Sequence, residues 1–123
     1  MKGFFVRLSG YGRLAKRYLV DREPEGQAYT MQTVQIGPVR YRRCVTVHVS
    51  LQGLYLQPRF LWIRYPPVRI PWDEIVQVEN TMIYWGRAKR LSVGEPEVGT
   101  IAMQMRLFGL IQPYLNSRLS EQT

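Results

Sequence analysis

The pattern of apolar and polar positions changes twice along the chain. In residues 1–20, apolar side chains recur at steps of three and four, which is the spacing of one helix face. The basic side chains fall on the opposite side of that helix. We therefore predict a leading helix over residues 1–20, with an apolar stripe of Phe4, Leu8, Tyr11, Ala15 and Tyr18 and a basic face of Lys2, Arg13, Lys16 and Arg17.

Two glycines weaken this helix. Gly10 and Gly12 each cost about 1 kcal/mol relative to alanine. Ser9 offers an N-cap for a shorter helix that begins near Gly10, which is the alternative. The following Asp-Arg-Glu-Pro-Glu-Gly segment, residues 21–26, is typical of a helix stop and a linker.

Between residues 29 and 105 the apolar period shortens to two. In the clearest run, Val45, Val47 and Val49 alternate with more polar residues, as in a half-buried strand. Glycines and prolines separate such runs about every ten residues, which favours an antiparallel barrel or sandwich of about seven strands. The strand candidates are residues 29–36, 44–49, 54–57, 60–65, 68–70, 76–85, 89–93 and 100–105.

Helical spacing returns near the C-terminus and predicts a capping helix over residues 106–119. The ring of Pro113 would press on the carbonyl group of residue 109, so we expect a kink or a helix that restarts at Pro113. The chain, residues 1–123, is thus predicted to be a single mainly β domain with flanking helices. The predicted core is Val34, Ile36, Val45, Val47, Val49, Leu54, Leu56, Ile70, Trp72, Val76, Val78, Leu91, Val93, Ile101, Met103, Leu107, Leu110 and Ile111.

Two stretches carry a resemblance to a known fold. They are Gly-Leu-Tyr-Leu at residues 53–56 and Tyr-Pro-Pro-Val-Arg-Ile-Pro-Trp-Asp-Glu-Ile at residues 65–75. With the strand order and the final helix, residues 29–119 resemble the pleckstrin-homology-like (PH-like) barrel, especially its GRAM and small bacterial variants. The leading helix resembles that of the same bacterial group. The resemblance implies a non-catalytic binding module, on a scaffold that hosts lipid, peptide and protein binding.

The charge balance points to an anionic partner. The chain has 17 Lys and Arg against nine Asp and Glu, a net charge of +8 and a pI near 10.1. Such an excess favours nucleic acid, acidic lipid headgroups or an acidic protein face. No run exceeds two consecutive basic residues, so composition does not choose among these partners.

Several classes of protein are disfavoured. With one cysteine, Cys44, and one histidine, His48, the chain cannot form an internal disulfide or a Cys/His zinc site. No apolar run approaches the ~20 residues of a membrane span, and the run at residues 4–6 is shorter than a signal-peptide core. We expect a cytoplasmic protein, free or peripheral at the inner membrane surface, without a cofactor.

No catalytic constellation is evident. Cys44 and His48 share a strand face but stand ~13 Å apart at the usual rise. Gly10 and Gly12 lack the later glycine of a dinucleotide-binding loop. Asp73 and Glu74 are adjacent and diverge, and we expect Asp73 to cap a one-turn helix. The sequence therefore predicts a protein that is not an enzyme.

The first candidate binding site follows the Gly37-Pro38 turn. Arg40 and Arg42 alternate on one strand and are joined by Arg43, which predicts a forked anion cradle. In lipid-binding PH domains the phosphate site lies in this first hairpin, so the resemblance implies an anionic headgroup as ligand. The lysine those domains carry at the end of the first strand is absent here.

The basic face of the leading helix, Arg13, Lys16 and Arg17, is the second candidate, as a membrane or partner face. We favour packing of this helix on its own barrel or on a partner subunit. The apolar stripe of this helix and the open edges of the strands also favour self-association or a protein partner.

The alternative function is that of a basic β protein that binds single-stranded nucleic acid through stacking aromatics and arginines. The residues that suggest it are Phe60, Trp62, Tyr65, Tyr84 and Trp85, with Arg59, Arg64 and Arg87.

Overall fold

The chain folds into one curled antiparallel sheet with a helix before it and a helix after it. The structure, a computed structural model, describes residues 10–20, 23–60, 63–64 and 66–122, with side chains for residues 11–20, 23–59 and 66–115. The elements are α1 (Gly10–Tyr18), β1 (Gln27–Ile36), β2 (Val39–Val49), β3 (Leu54–Phe60), β4 (Ile63–Arg64), β5 (Val68–Ile70), a 3-10 helix (Trp72–Glu74), β6 (Ile75–Ile83), β7 (Gly86–Val93), β8 (Gly99–Gln104) and α2 (Met105–Gln122).

The sheet has the order β4-β3-β2-β1-β8-β7-β6, and β5 pairs with β3 beside β4. Every strand pairing is antiparallel. The strands β5 and β6 lie at opposite ends of this order and are connected through the 3-10 helix, so the sheet forms a half-barrel. The prediction of a mainly β antiparallel fold with two flanking helices is confirmed.

One predicted strand is wrong. Residues 60–65 do not form a single strand, because β3 ends at Phe60 and β4 returns along it, with Phe60 paired to Ile63 and Arg59 to Arg64. Alternation of apolar residues does not reveal that a chain reverses where the sequence contains neither glycine nor proline. The two residues between these strands lie outside the described part of the chain.

The inner faces of the strands and one side of each helix form the core. Fifteen of the 18 predicted core residues are buried, whereas Val76 and Val78 are half-buried and Leu110 is 39% exposed. The prediction for Leu110 is wrong because this position of α2 borders a cavity instead of the sheet. Seven further residues join the main core: Tyr11, Leu14, Tyr18, Val68, Ile75, Phe108 and Leu115.

Helix α1 packs on the sheet of its own chain. Leu14 is fully buried and lies against Gly99 of β8. A Cβ atom at residue 99 would lie 3.2 Å from Cδ2 of Leu14, so the helix and the strand are in close contact. The Tyr11 hydroxyl donates a hydrogen bond to the carbonyl of Pro66, and Leu19 forms a bridge with Val68 of β5. The described part of this helix is Gly10–Tyr18, and the residues that would distinguish the longer helix from the shorter alternative lie outside the described part of the chain. Phe4 and Leu8 of the predicted stripe lie outside the described residues.

The 3-10 helix corrects the role predicted for Asp73. The N-cap residue is Pro71, no side chain caps the helix, and Asp73 is exposed within the turn. It cannot cap a helix because it follows the first helical residue instead of preceding it. The neighbouring Glu74 connects this turn to α1, since its Oε1 accepts a hydrogen bond of 2.6 Å from the hydroxyl of Tyr18.

Helix α2 is anchored on the 3-10 helix. The rings of Trp72 and Tyr114 stack with centroids 5.0 Å apart and an interplanar angle of 12°. The indole N–H of Trp72 donates to the carbonyl of Ser50 at 2.8 Å. The helix continues from Met105 to Gln122 with Pro113 inside it, so the alternative of a restart at Pro113 is wrong.

The β1–β2 hairpin contains two bulges, one in each strand. Between the pairs Tyr29–Val47 and Gln32–Val45, β1 has one extra residue; between Gln32–Val45 and Val34–Tyr41, β2 has two extra residues. Met31 and Arg43, both at φ 55°, occupy these bulges. The N–H of Arg43 donates to Oγ1 of Thr33 at 3.1 Å. Bulges redirect side chains. The two bulges of this hairpin place Met31 and Arg43 beside a cavity that is described below.

Candidate functional site

The β6–β7 hairpin ends in two aromatic residues. Ile83 pairs with Gly86, so Tyr84 and Trp85 form a two-residue turn, with φ of 48° and 68°. Such turns favour asparagine and glycine, because other residues in this left-handed conformation lose roughly 1–2 kcal/mol. Trp85 is nevertheless 94% exposed. The turn therefore presents a large aromatic ring to solvent at a position that local preference does not favour.

Tyr84 lies under two arginines of the distant β1–β2 hairpin. The guanidinium carbons of Arg40 and Arg42 lie 4.6 and 5.6 Å from the centroid of its ring, which are cation–π contacts. The Nε of Arg40 also donates to Oε1 of Gln35 at 3.3 Å. We call the surface formed by Arg40, Arg42, Tyr84 and Trp85 the tip surface.

The outer face of the sheet explains how this turn reaches Arg40. Ala102 alternates with Ile101 and Met103 of the main core and therefore faces outward, where it forms a second buried cluster with Ile83 and Ala88. Strand register places Ala102 beside Gln35, and Gln35 beside Arg40. Because Ile83 is buried against this face, the next residue, Tyr84, is held close to the arginines of β2.

The structure divides the three arginines that the sequence placed together. Arg40 and Arg42 share Tyr84, whereas Arg43, in the bulge, lines a separate cavity together with Arg106 at the start of α2. We call this the bulge cavity; it lies between residues 29–33 of β1, Arg43 and residues 104–110. Sequence analysis missed Tyr84 as the partner of Arg40 and Arg106 as the neighbour of Arg43, because both contacts join segments distant in the chain.

The basic face of α1 points away from the core. Arg13, Lys16 and Arg17 are exposed, while Tyr11, Leu14 and Tyr18 are buried on the other side. The Nη2 of Arg17 lies 3.7 Å from Oε1 of Glu74, and its guanidinium is 5.8 Å from the ring centroid of Tyr18. Arg17 therefore contributes to the contact between α1 and the 3-10 helix, which leaves Arg13 and Lys16 as the cations on the outer side of this helix.

The groups considered for catalysis are Cys44 and His48, and the buried Nδ1 of His48 has no hydrogen-bond partner among the described residues. Cys44 is half-buried, and this burial raises the pKa of its thiol, which disfavours the nucleophilic thiolate. The ring of His48 contacts Tyr55 edge to face, with centroids 6.4 Å apart. Among residues whose positions are described, no three His, Cys, Asp or Glu side chains lie close enough together to hold a metal ion.

Of the five aromatic residues considered for nucleic-acid stacking, the structure describes the side chains of Tyr84 and Trp85. Within residues 10–20, 23–60, 63–64 and 66–122, no helix is long and apolar enough to cross a membrane. Comparison with protein-family models, with curated proteins and with solved structures finds no match for this chain.

Proposed function

We propose that this chain is a non-catalytic binding module of PH/GRAM-like fold that recognises an anionic membrane surface through its tip surface. One observation carries the proposal: Trp85 is 94% exposed in a turn whose other residue, Tyr84, lies under Arg40 and Arg42. The antiparallel meander followed by a C-terminal helix supports the fold assignment, since this is the arrangement that the resemblance implies.

The chemistry of the tip surface matches a membrane interface. Tryptophan is enriched at the level of lipid headgroups, because its ring is apolar and its N–H is polar. Arginine holds phosphate through two parallel hydrogen bonds. A shallowly inserted Trp85 would thus bring Arg40 and Arg42 to the phosphate groups.

A membrane fits this surface better than single-stranded nucleic acid does. Nucleic-acid modules stack successive bases on several exposed rings. At the tip surface Tyr84 contacts the two arginines and is 43% exposed, so Trp85, at 94%, is the single ring that is almost fully exposed there. The proposed location is accordingly the inner face of the membrane, to which the protein binds peripherally.

Vesicle co-sedimentation tests the proposal. We expect the protein to sediment with vesicles of phosphatidylglycerol and phosphatidylcholine but not with phosphatidylcholine alone. The variants are Trp85→Ser and the double variant Arg40→Ala with Arg42→Ala. Each cation near an anionic bilayer contributes about 1 kcal/mol, so the double variant should bind about 30-fold more weakly.

The matched control is Arg13→Ala with Lys16→Ala, which removes the same two charges from α1. We expect its affinity for the vesicles to fall less than about threefold, because salt screens exposed charges that do not lie directly at the bilayer. Equal binding to neutral vesicles, or a larger loss in the α1 variant than in the tip variants, would refute the proposal. Binding to a single-stranded oligonucleotide that depends on Trp85 and steeply on salt, without vesicle binding, would favour the alternative function.

A further inference from the structure

The bulge cavity is a second site, distinct from the tip surface. It has a volume of about 650 Å³, within the usual range for small-molecule pockets. Its walls come from the two bulges of the β1–β2 hairpin and from the junction of β8 with α2. Two arginines line it, Arg43 and Arg106, and among the side chains that the structure describes no acidic one does. The cavity therefore favours an anion.

Arg43 occupies a backbone conformation that does not suit it. Its φ of 55° lies in the left-handed region, where glycine and asparagine are common and a long side chain loses roughly 1–2 kcal/mol. The hydrogen bond from its N–H to Thr33 belongs to the backbone, so a glycine could keep it. The arginine side chain is exposed and adds nothing evident to the fold.

Arg106 also stands where helix stability disfavours it. It is the second residue of α2, at the positive end of the helix dipole, where acidic residues are preferred and cations are disfavoured. The first turn of α2 contains no acidic residue that would offset its charge. Residues that violate local preference without a structural gain mark positions where function is expected. Here two such residues line the same cavity.

The rest of the lining adds apolar surface and neutral hydrogen-bonding groups. Met31 is 62% exposed and Leu110 is 39% exposed, while Leu107 forms a buried apolar wall. The hydroxyl of Thr33 accepts the N–H of Arg43 and can still donate its own proton. A ligand with an anionic end and an aliphatic end would cover both kinds of surface.

We propose that the bulge cavity binds a single-chain anionic amphiphile. Its phosphate monoester or carboxylate head lies between Arg43 and Arg106, and its aliphatic chain lies along Met31, Leu107 and Leu110. This site does not depend on the proposed membrane function, because Trp85 and Tyr84 do not line the cavity.

Calorimetric titration with four probes tests the site: dodecyl phosphate, laurate, dodecylphosphocholine and inorganic phosphate, with the amphiphiles below their micelle concentrations. Dodecyl phosphate or laurate should bind at least about tenfold more tightly than the zwitterion or inorganic phosphate. The tighter of the two acidic probes identifies the head group. In a methyl NMR spectrum, the resonances of Met31, Leu107 and Leu110 should shift on binding.

The variants Arg43→Gly and Arg106→Gln should each weaken binding of the acidic amphiphile by about tenfold or more. Neither change should unfold the protein, because glycine suits φ 55° and glutamine removes a disfavoured charge. Arg59→Gln, which removes one exposed charge outside the cavity, is the matched control and should bind normally. Trp85→Ser should also bind normally, which separates this site from the tip surface.

Four results would overturn the proposal. If dodecylphosphocholine bound as tightly as the acidic amphiphiles, the arginines would not select the head group. If inorganic phosphate bound as tightly, the apolar wall would contribute nothing to binding. Unchanged binding in both arginine variants, or a loss in Trp85→Ser as large as in Arg43→Gly, would place the amphiphile elsewhere. A failure of vesicle binding alone would affect only the proposed function.

Discussion

Trp72 is one of the contacts that hold α2 in place, and its replacement by phenylalanine tests how much it contributes. The side chain is 9% exposed, donates from its indole N–H to the carbonyl of Ser50 and stacks on Tyr114. Trp72→Phe removes the donor and one ring of the indole while it keeps an aromatic group in place. We therefore expect α2 to remain docked, at reduced stability.

The expected loss follows from three contributions. The hydrogen bond is worth about 1 kcal/mol net, and the Ser50 carbonyl keeps a second donor, the N–H of Gly53 at 3.3 Å, so it is not left unpaired. The missing ring leaves a small void worth about 1 kcal/mol. A weakened stack on Tyr114 adds about 0.5 kcal/mol. Together these lower the free energy of unfolding by about 2–3 kcal/mol, which corresponds to a Tm about 10 °C lower.

Urea unfolding followed by circular dichroism measures this change, and a double-mutant cycle with Tyr114→Leu isolates the stack. The Tyr114 variant keeps the Trp72 hydrogen bond and should lose about 1 kcal/mol. The pair should show a coupling of about 0.5 kcal/mol, because the phenyl ring of the Trp72 variant keeps part of the stack. A Trp72→Phe variant as stable as wild type, or strictly additive single changes, would refute the conclusion that this stack anchors α2.

Three further predictions concern single positions. Tyr18→Phe removes the donor to Glu74 and should lower the free energy of unfolding at pH 8 by about 1–2 kcal/mol. Burial, and then the hydrogen bond to Glu74, raise the pKa of Tyr18 from 10.0 to about 12. The stabilisation by the Tyr18 hydroxyl is therefore complete below pH 10 and is lost as the pH rises towards 12. Over that interval the free energies of unfolding of wild type and variant, measured in urea, should approach each other. A difference that grows with pH would contradict this prediction. Gly53 has φ 155°, and Gly53→Ala would place a Cβ 2.5 Å from the carbonyl oxygen of Ile70. We therefore expect the free energy of unfolding to fall by more than about 2 kcal/mol. An unchanged Tm would show that this turn can shift to accommodate the methyl group. Arg43→Gly should raise the free energy of unfolding by about 1 kcal/mol in the same assay, and a decrease would mean that the arginine side chain supports the bulge.

Local periodicity was sufficient for the fold class and most of the core. Val45, Val47 and Val49 are all buried on one face of β2, because alternation in an extended chain assigns each side chain a face whatever the partner strand. The stripe Leu107, Ile111 and Leu115 is likewise buried, since helical spacing is a property of the helix alone. Leu110 shares that spacing but borders a cavity, which periodicity does not reveal.

The candidate sites depended on contacts between distant segments. Alternation correctly placed Arg40 and Arg42 on one face, but Tyr84 reaches them only because Ile83 is buried against the outer face of the sheet. Arg43, the next residue after Arg42, falls on the opposite face by the same alternation, and the bulge, which is defined by the register with β1, brings it to the cavity. Side-chain direction along an element is thus encoded locally. Register, bulges and the meeting of two hairpins arise only when the strands pair, because each depends on hydrogen bonds and packing between residues far apart in the chain.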